Sequence, residues 1–201
     1  MRTEVVQVSS QEPQLEKIRE AAEVIKSGGV VAFPTETVYG LAADFFNQQA
    51  VDKIFQVKKR PKQKPLAVQI ADSTDLEKLD CFVPPLAFQL MSKFWPGPLT
   101  LVFARQQATL GVRIPDNRIA QELIKESQTP LVAPSANLTG APAAKTAEEV
   151  LETFDGLIEM VIDAGEVELG IASTVVDLTV SPYKILREGA ISRQDIQHVA
   201  N

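Results

Sequence analysis

The segment Pro13–Leu41, PQLEKIREAAEVIKSGGVVAFPTETVYGL, holds the pattern that decides the fold. Leu15, Ile18, Ala22 and Ile25 recur at the spacing of one helical face, Pro13 suits a first turn and Gly28 a stop, so a helix is expected over Pro13–Lys26. GVVAF then switches to the unbroken apolar run of a buried strand. PTETVYGL follows at once, with three hydroxyls, one carboxylate and a glycine at the strand end where α/β folds place their ligand crevice. An ST-turn leading into a helix N-cap would use the same residues without any ligand.

The same alternation continues to the C-terminal end. EVVQV, GVVAF, PLAVQI, LTLVF, GVRI, PLVA, IEMVI, STVVDL and YKIL read as nine strands, each bounded by Gly, Pro, Asp or Ser. Further helices are expected over Asn47–Lys58, Pro85–Phe94, Asn117–Glu126 and Thr146–Phe154. Asn47 and Asn117 are candidate N-caps, and Thr146 with Glu149 has capping-box spacing. The connection from LTLVF to GVRI is too short for a helical crossover and implies antiparallel neighbours. WPGP, Trp95–Pro98, reads as a rigid turn into LTLVF. The fold class is α/β: a mixed, twisted sheet covered by helices, in a single domain over residues 1–201.

Composition narrows the function classes. Of 201 residues 45% are hydrophobic, enough for one substantial core, and the formal net charge of −6 argues against a surface that is one broad nucleic-acid footprint. One cysteine, Cys81, excludes an internal disulfide, and with the one histidine, His198, far away in sequence there is no Cys/His zinc spacing. No apolar run approaches the ~18 residues of a membrane span, so a cytoplasmic location is the default expectation. P-loop, dinucleotide-fold, zinc-protease and nucleophile-elbow motifs are absent.

What remains is a set of polar residues at strand ends. VKKRPKQKPL, Val57–Leu66, gathers Lys58, Lys59, Arg60, Lys62 and Lys64 in an acidic chain. Lys58 and Lys59 could simply complement a helix C-terminus, which leaves Arg60, Lys62 and Lys64 to explain. In GVRIP, Arg113 interrupts an apolar run and faces opposite to its neighbours, toward either solvent or a crevice. In a crevice its planar fork would suit a carboxylate or phosphate. APSANLTG carries Ser135, Asn137 and Thr139 directly after a strand, and Ser173, Thr174 and Arg187 border the late strands. Together these residues describe a crevice of hydroxyls, an amide and cations, with no acid/base pair or thiol nucleophile. Such a site suits nucleotidyl transfer to a carboxylate or carbamate, in which the protein aligns partners and neutralises phosphate charge.

From about Gly28 to Gly189, the ordered series GGVVAFPTETVYGLAAD, KKRPKQKPL, FWPGPLT, VRIPD, APSANLTG, ASTVVDL and REG resembles the YrdC-like family of threonylcarbamoyl-AMP synthases. The resemblance implies an open α/β sheet with a concave, positively charged face, and the conversion of L-threonine, bicarbonate or CO2, and ATP to threonylcarbamoyl-adenylate and pyrophosphate for tRNA modification. Mg2+ would accompany the ATP. Lys58, Arg60, Ser135 and Asn137 match the family's catalytic tetrad; with Arg187 they would hold ATP. Thr35, Lys64, Arg113 and Ser173 would hold L-threonine, although some relatives have His in place of Lys64. Downstream threonylcarbamoyl-transfer proteins are implied partners, as is contact with tRNA or double-stranded RNA. Longer relatives add a C-terminal domain, so this chain is expected to act as the short form or to depend on partners. Two alternatives are an RNA-binding module built on VKKRPKQK, and a carbamoyl-transfer domain of the hydrogenase-maturation type. The first leaves Arg113, Ser135 and Asn137 without roles; the second lacks its usual acylphosphatase and zinc-finger segments.

Overall fold

The computed structural model describes residues 2–106 and 108–200. In chain order the elements are β1 (Glu4–Gln7), α1 (Leu15–Lys26), β2 (Val31–Phe33), β3 (Gly40–Asp44), α2 (Gln48–Val57), β4 (Ala67–Gln69), α3 (Asp75–Lys78), α4 (Pro85–Phe94), β5 (Leu99–Arg105), β6 (Ala108–Arg113), α5 (Arg118–Ser127), β7 (Leu131–Val132), α6 (Ala147–Phe154), β8 (Met160–Asp163), β9 (Thr174–Asp177), β10 (Lys184–Arg187) and α7 (Arg193–Ala200). The strands form one mixed sheet in the order β1-β8-β2-β3-β7-β4-β6-β5-β9-β10. β5 and β6 pair antiparallel, as their short connection requires, with Leu101 opposite Val112.

Alternation along the strands sorts the sheet into two halves. In the first half both faces are covered. Val30 and Ala32 enter one core and Val31 and Phe33 the other; Leu41 and Ala43 divide from Ala42 in the same way, and Val161 from Met160 and Ile162. That is why GVVAF is apolar throughout. α1 and α5 close one core through Ile18, Ala22, Ile25, Leu123 and Ile124; α2, α4, α6 and α7 close the other through Ile54, Leu90, Val150 and Ile196.

In the second half only the face of that second core is covered. Leu66, Val68, Leu99, Leu101, Phe103, Leu110, Val112 and Val176 pack into it, each contributing roughly 1.5–3 kcal/mol by leaving water. The alternate residues Ala67, Gln69, Thr100, Val102, Thr109, Gly111, Arg113, Val175 and Asp177 line a cavity instead of meeting a helix. The cavity floor is thus the uncovered half of the sheet.

Local signals explain most boundaries. The Oδ1 atoms of Asn47 and Asn117 accept backbone N–H groups at the starts of α2 and α5. Gly28, at φ +86, ends α1 in the left-handed region that glycine tolerates. Thr146 caps α6, but Glu149 reaches back to the Lys145 N–H instead of closing the reciprocal box on Thr146.

Two expectations need correction. A tenth strand, β3, exists where none was expected, and α3 and α7 join the five expected helices. PTETVYGL contains the ST-turn but leads into β3, antiparallel to β2, and not into a helix. Of the two directions open to Arg113, solvent or crevice, it takes the crevice: it is 5% exposed and lines the cavity.

Candidate active site

The cavity has a volume of about 350 Å3 and collects residues from seven separate stretches of the chain. At one end lies Arg113, the last residue of β6. Its Nε donates to the carbonyl of Gly97 at 3.0 Å, and the Gly97 N–H donates back to Ile114 O at 2.8 Å, so the WPGP turn is the bracket that holds this guanidinium. Arg113 Nη1 donates to Thr37 Oγ1 at 2.9 Å. Thr35 gives its hydroxyl proton to Val38 O at 2.7 Å and accepts from the N–H groups of Thr37 and Val38. The 2.8 Å contact between the two threonine hydroxyls therefore runs from Thr37 to Thr35. Burial presses the Arg113 pKa down, and the Glu36 carboxylate beside it works in the opposite direction.

Arg187 closes a second wall. Its Nε and Nη2 donate to Ser173 O and Oγ at 3.0 and 3.1 Å, and Ser173 Oγ lies 2.8 Å from Thr100 Oγ1 on the floor. Arg187 is held below the ordinary guanidinium value first by burial, then by the neighbouring charges of Arg113 and Arg60. The turn after it admits only glycine at Gly189, where a Cβ would stand 2.1 Å from Ala172 O. Thr174 Oγ1 fastens the same turn by accepting from Gly189 N and Ile191 N.

The third wall comes from the basic stretch and the loop after β7. Arg60 lines the cavity and is braced by Nε and Nη2 bonds to Lys64 O and Pro65 O at 3.0 and 2.8 Å. Lys58 points the other way. It is 1% exposed, and its Nζ donates to the carbonyls of Ser135 and Asn137 at 2.5 and 2.6 Å. Thr139 N and Oγ1 return to Lys58 O at 3.0 and 3.1 Å, and Ser135 Oγ donates to Asn137 Oδ1 at 2.5 Å. Lys58 is thus the peg around which the loop is wound. Burial, with Arg60 nearby, pushes its pKa down to about 8.

Of the residues singled out in the sequence, Thr35, Arg60, Arg113, Ser135, Ser173 and Arg187 line this one cavity. Lys58 and Asn137 lie behind Ser135, and Lys64 is exposed on its loop, off the cavity wall. Lys62 pairs with Asp52 at 3.0 Å in a solvated contact. His198 is exposed. Thr37, one of the hydroxyls read in PTETVYGL, also lines the cavity, whereas sequence reasoning missed Gln69, Thr100 and Thr109. Gln69 stands in register with Arg113 on the adjacent strand, is 4% exposed, and has an Oε1 with no hydrogen-bond partner. The signal that exposed Arg113, a polar residue on the off-beat of an apolar strand, also marks Gln69 in PLAVQI and Thr100 in LTLVF.

The arrangement offers three guanidinium groups, serine and threonine hydroxyls from Thr35, Thr37, Thr100, Thr109, Ser135 and Ser173, and a floor kept low by Ala67 and Gly111. Among the described residues neither Arg60 nor Arg187 forms an ion pair, so both are available to an anionic ligand.

Comparison with known proteins places the chain in a family. The Sua5/YciO/YrdC family, described as "Telomere recombination", matches residues 23–189. Threonylcarbamoyl-AMP synthase of Pyrococcus abyssi (strain GE5 / Orsay) is 45% identical over 193 residues, covering 91% of this chain and 57% of that protein. The enzyme of the same name from Bacillus subtilis (strain 168) is 41% identical over 96% of this chain and 58% of its own. The chain therefore spans somewhat more than half the length of these curated relatives. The crystal structure of P. abyssi Sua5 complexed with L-threonine superimposes with a TM-score of 0.94 at 42% identity, covering 98% of this chain and 61% of that one. The chain belongs to the Sua5/YciO/YrdC family.

Proposed function

We propose that the protein is a threonylcarbamoyl-AMP synthase, joining L-threonine, bicarbonate or CO2, and ATP to give threonylcarbamoyl-adenylate and pyrophosphate. One observation carries the reading: three guanidinium groups converge on one cavity, and one of them is fixed among hydroxyls at one end while two stand without ion pairs at the walls. Two separately charged partners, an amino-acid carboxylate and a triphosphate, fit that division. The names of the relatives and the L-threonine complex of P. abyssi Sua5 support the same substrates.

In this mechanism Arg113 clamps the carboxylate of L-threonine, and Thr35 and Ser173 present hydroxyls to its polar groups. The amine, once it has captured CO2, carries a carbamate whose oxygen attacks the α-phosphorus of ATP. An O–P bond forms as the bond to the bridging oxygen breaks, and pyrophosphate leaves with that electron pair. Arg60, Arg187 and Ser135 face the phosphates, while Lys58 and Asn137, which lie behind Ser135, keep its loop in place. Lys64, on its exposed loop, would reach the amino acid only by moving inward. No side chain has to become a nucleophile, because positioning and charge neutralisation lower the barrier. Mg2+ enters as part of the MgATP substrate. A Mg2+ ion bound to phosphates needs only one or two protein carboxylates, and among the described residues no cluster of three or more His, Cys, Asp or Glu side chains forms a cage. Transfer of the product to tRNA belongs to partner proteins in this reading.

The test is pyrophosphate release from MgATP with L-threonine or bicarbonate omitted in turn. Release is expected only when all three are present. Release indifferent to either omission refutes the synthase reading, and salt-sensitive tRNA binding without turnover would establish an RNA-binding module instead.

A further inference from the structure

Glu36 is the carboxylate in PTETVYGL, and nothing in the mechanism above uses it. It is 5% exposed, and its Oε1 lies 2.5 Å from Arg113 Nη2, with both side chains only 6% exposed. The contact is an ion pair at close range, and the Glu36 carboxylate works against burial by raising the Arg113 pKa. Neither Glu36 oxygen and not Arg113 Nη2 has a hydrogen-bond partner. Other carboxylates of the chain, such as Asp44 and Asp72, accept backbone N–H groups and shape turns. Glu36 caps no such group with its side chain. A buried ion pair adds little to stability, since desolvation offsets most of the attraction.

Charge balance supplies a role. Of the three arginines on the cavity, only Arg113 has a carboxylate beside it; Arg60 and Arg187 have none among the described residues. The pair offsets the Arg113 charge at one end, while Arg60 and Arg187 keep theirs at the other: Asp177, the carboxylate on the cavity floor, accepts from Thr179 and among the described residues pairs with neither. A zwitterionic amino acid matches the first end, and a triphosphate matches the second. Without the Glu36 charge, Arg113 would be a third anion site of equal appeal to phosphate, a few ångströms from where the amino acid must sit.

We infer that Glu36 is a specificity-determining residue of the Arg113 end: by neutralising that guanidinium it reserves it for the carboxylate of a zwitterion and keeps phosphate groups away. This rests on the reading that an amino acid and ATP share the cavity. Specificity of this kind is a repulsive element built against the wrong ligand.

The experiment is calorimetric titration of wild-type protein, Glu36→Gln and Glu36→Asp with L-threonine, alone and in the presence of inorganic phosphate or pyrophosphate, with thermal unfolding of each as a check on folding. Wild type is expected to bind L-threonine with little competition from phosphate. In Glu36→Gln phosphate and pyrophosphate should become competitors of L-threonine, raising its apparent Kd by about tenfold or more, because close charge pairs couple strongly. Glu36→Asp retains the charge and should retain the discrimination; if Glu36→Gln fails to fold, the wild type decides, since inorganic phosphate that competes there with L-threonine overturns the inference. Folded Glu36→Gln that still excludes phosphate overturns the inference while leaving the synthase reading intact. Wild-type protein that binds no L-threonine at all overturns the synthase reading, and this inference with it.

Discussion

Replacing Arg113 by methionine is expected to remove L-threonine binding, with Kd raised at least about 100-fold, and to destabilise the fold by roughly 3–5 kcal/mol. The two losses have different origins. Binding is lost because Arg113 brings a fork of donors to the amino-acid end, with Nε braced by Gly97 O and Nη1 by Thr37 Oγ1. Stability is lost because Glu36 remains behind as an uncompensated buried carboxylate. The double substitution Arg113→Met with Glu36→Gln separates them: it should recover most of the urea midpoint and none of the L-threonine binding. A double variant that binds L-threonine as wild type does would exclude Arg113 as the carboxylate clamp.

The second large effect concerns Lys58. Lys58→Met should lower stability by about 2–3 kcal/mol, because two backbone carbonyls lose a charged donor in a site closed to water. Pyrophosphate release should fall about 100-fold or more, since a loop displaced by one ångström can cost that much. Arg60→Ala makes the contrast. Its two bonds reach carbonyls of an exposed loop, so activity should be lost with a stability change within about 0.5 kcal/mol. Equal stability losses in the two variants would refute Lys58 as the peg of the loop.

The pH dependence of Lys58 follows from its folded-state pKa of about 8, below the ordinary 10.5. In that window the unfolded chain binds more protons at this residue than the folded one, so its contribution to stability rises with pH. Below about 8 the full penalty of burying the charge is present. The stability of wild type relative to Lys58→Met should therefore increase as pH is raised from 8 toward 10.5. A difference that stays flat or falls across this window would show that the folded-state pKa of Lys58 is not depressed.

Much of the architecture was legible along the chain. Alternating strands and helices, the caps at Asn47 and Asn117, the stop at Gly28 and the antiparallel β5–β6 pair all rest on local chemistry acting over a few residues. The nine expected strands all exist, because β-branched runs between turn residues have few other stable uses. β3 escaped notice because GLAAD carries no β-branched or aromatic residue; its pairing with β2 and β7 makes it a strand.

The site divides along the same line. Which residues carry chemistry was readable, since hydroxyls, an amide and arginines at strand ends are visible one by one. Which way they point was decided by tertiary structure. A polar residue on the off-beat of a strand faces solvent or a cavity according to whether a helix covers that face, and only the packing of α1 and α5 over the first half of the sheet leaves the second half bare. Lys58 and Arg60, two residues apart, part company for the same reason: one ends beneath the 135–137 loop and the other on the cavity wall. The Glu36–Arg113 pair joins a loop after β2 to the end of β6, a contact that no local pattern encodes and that sheet register alone creates.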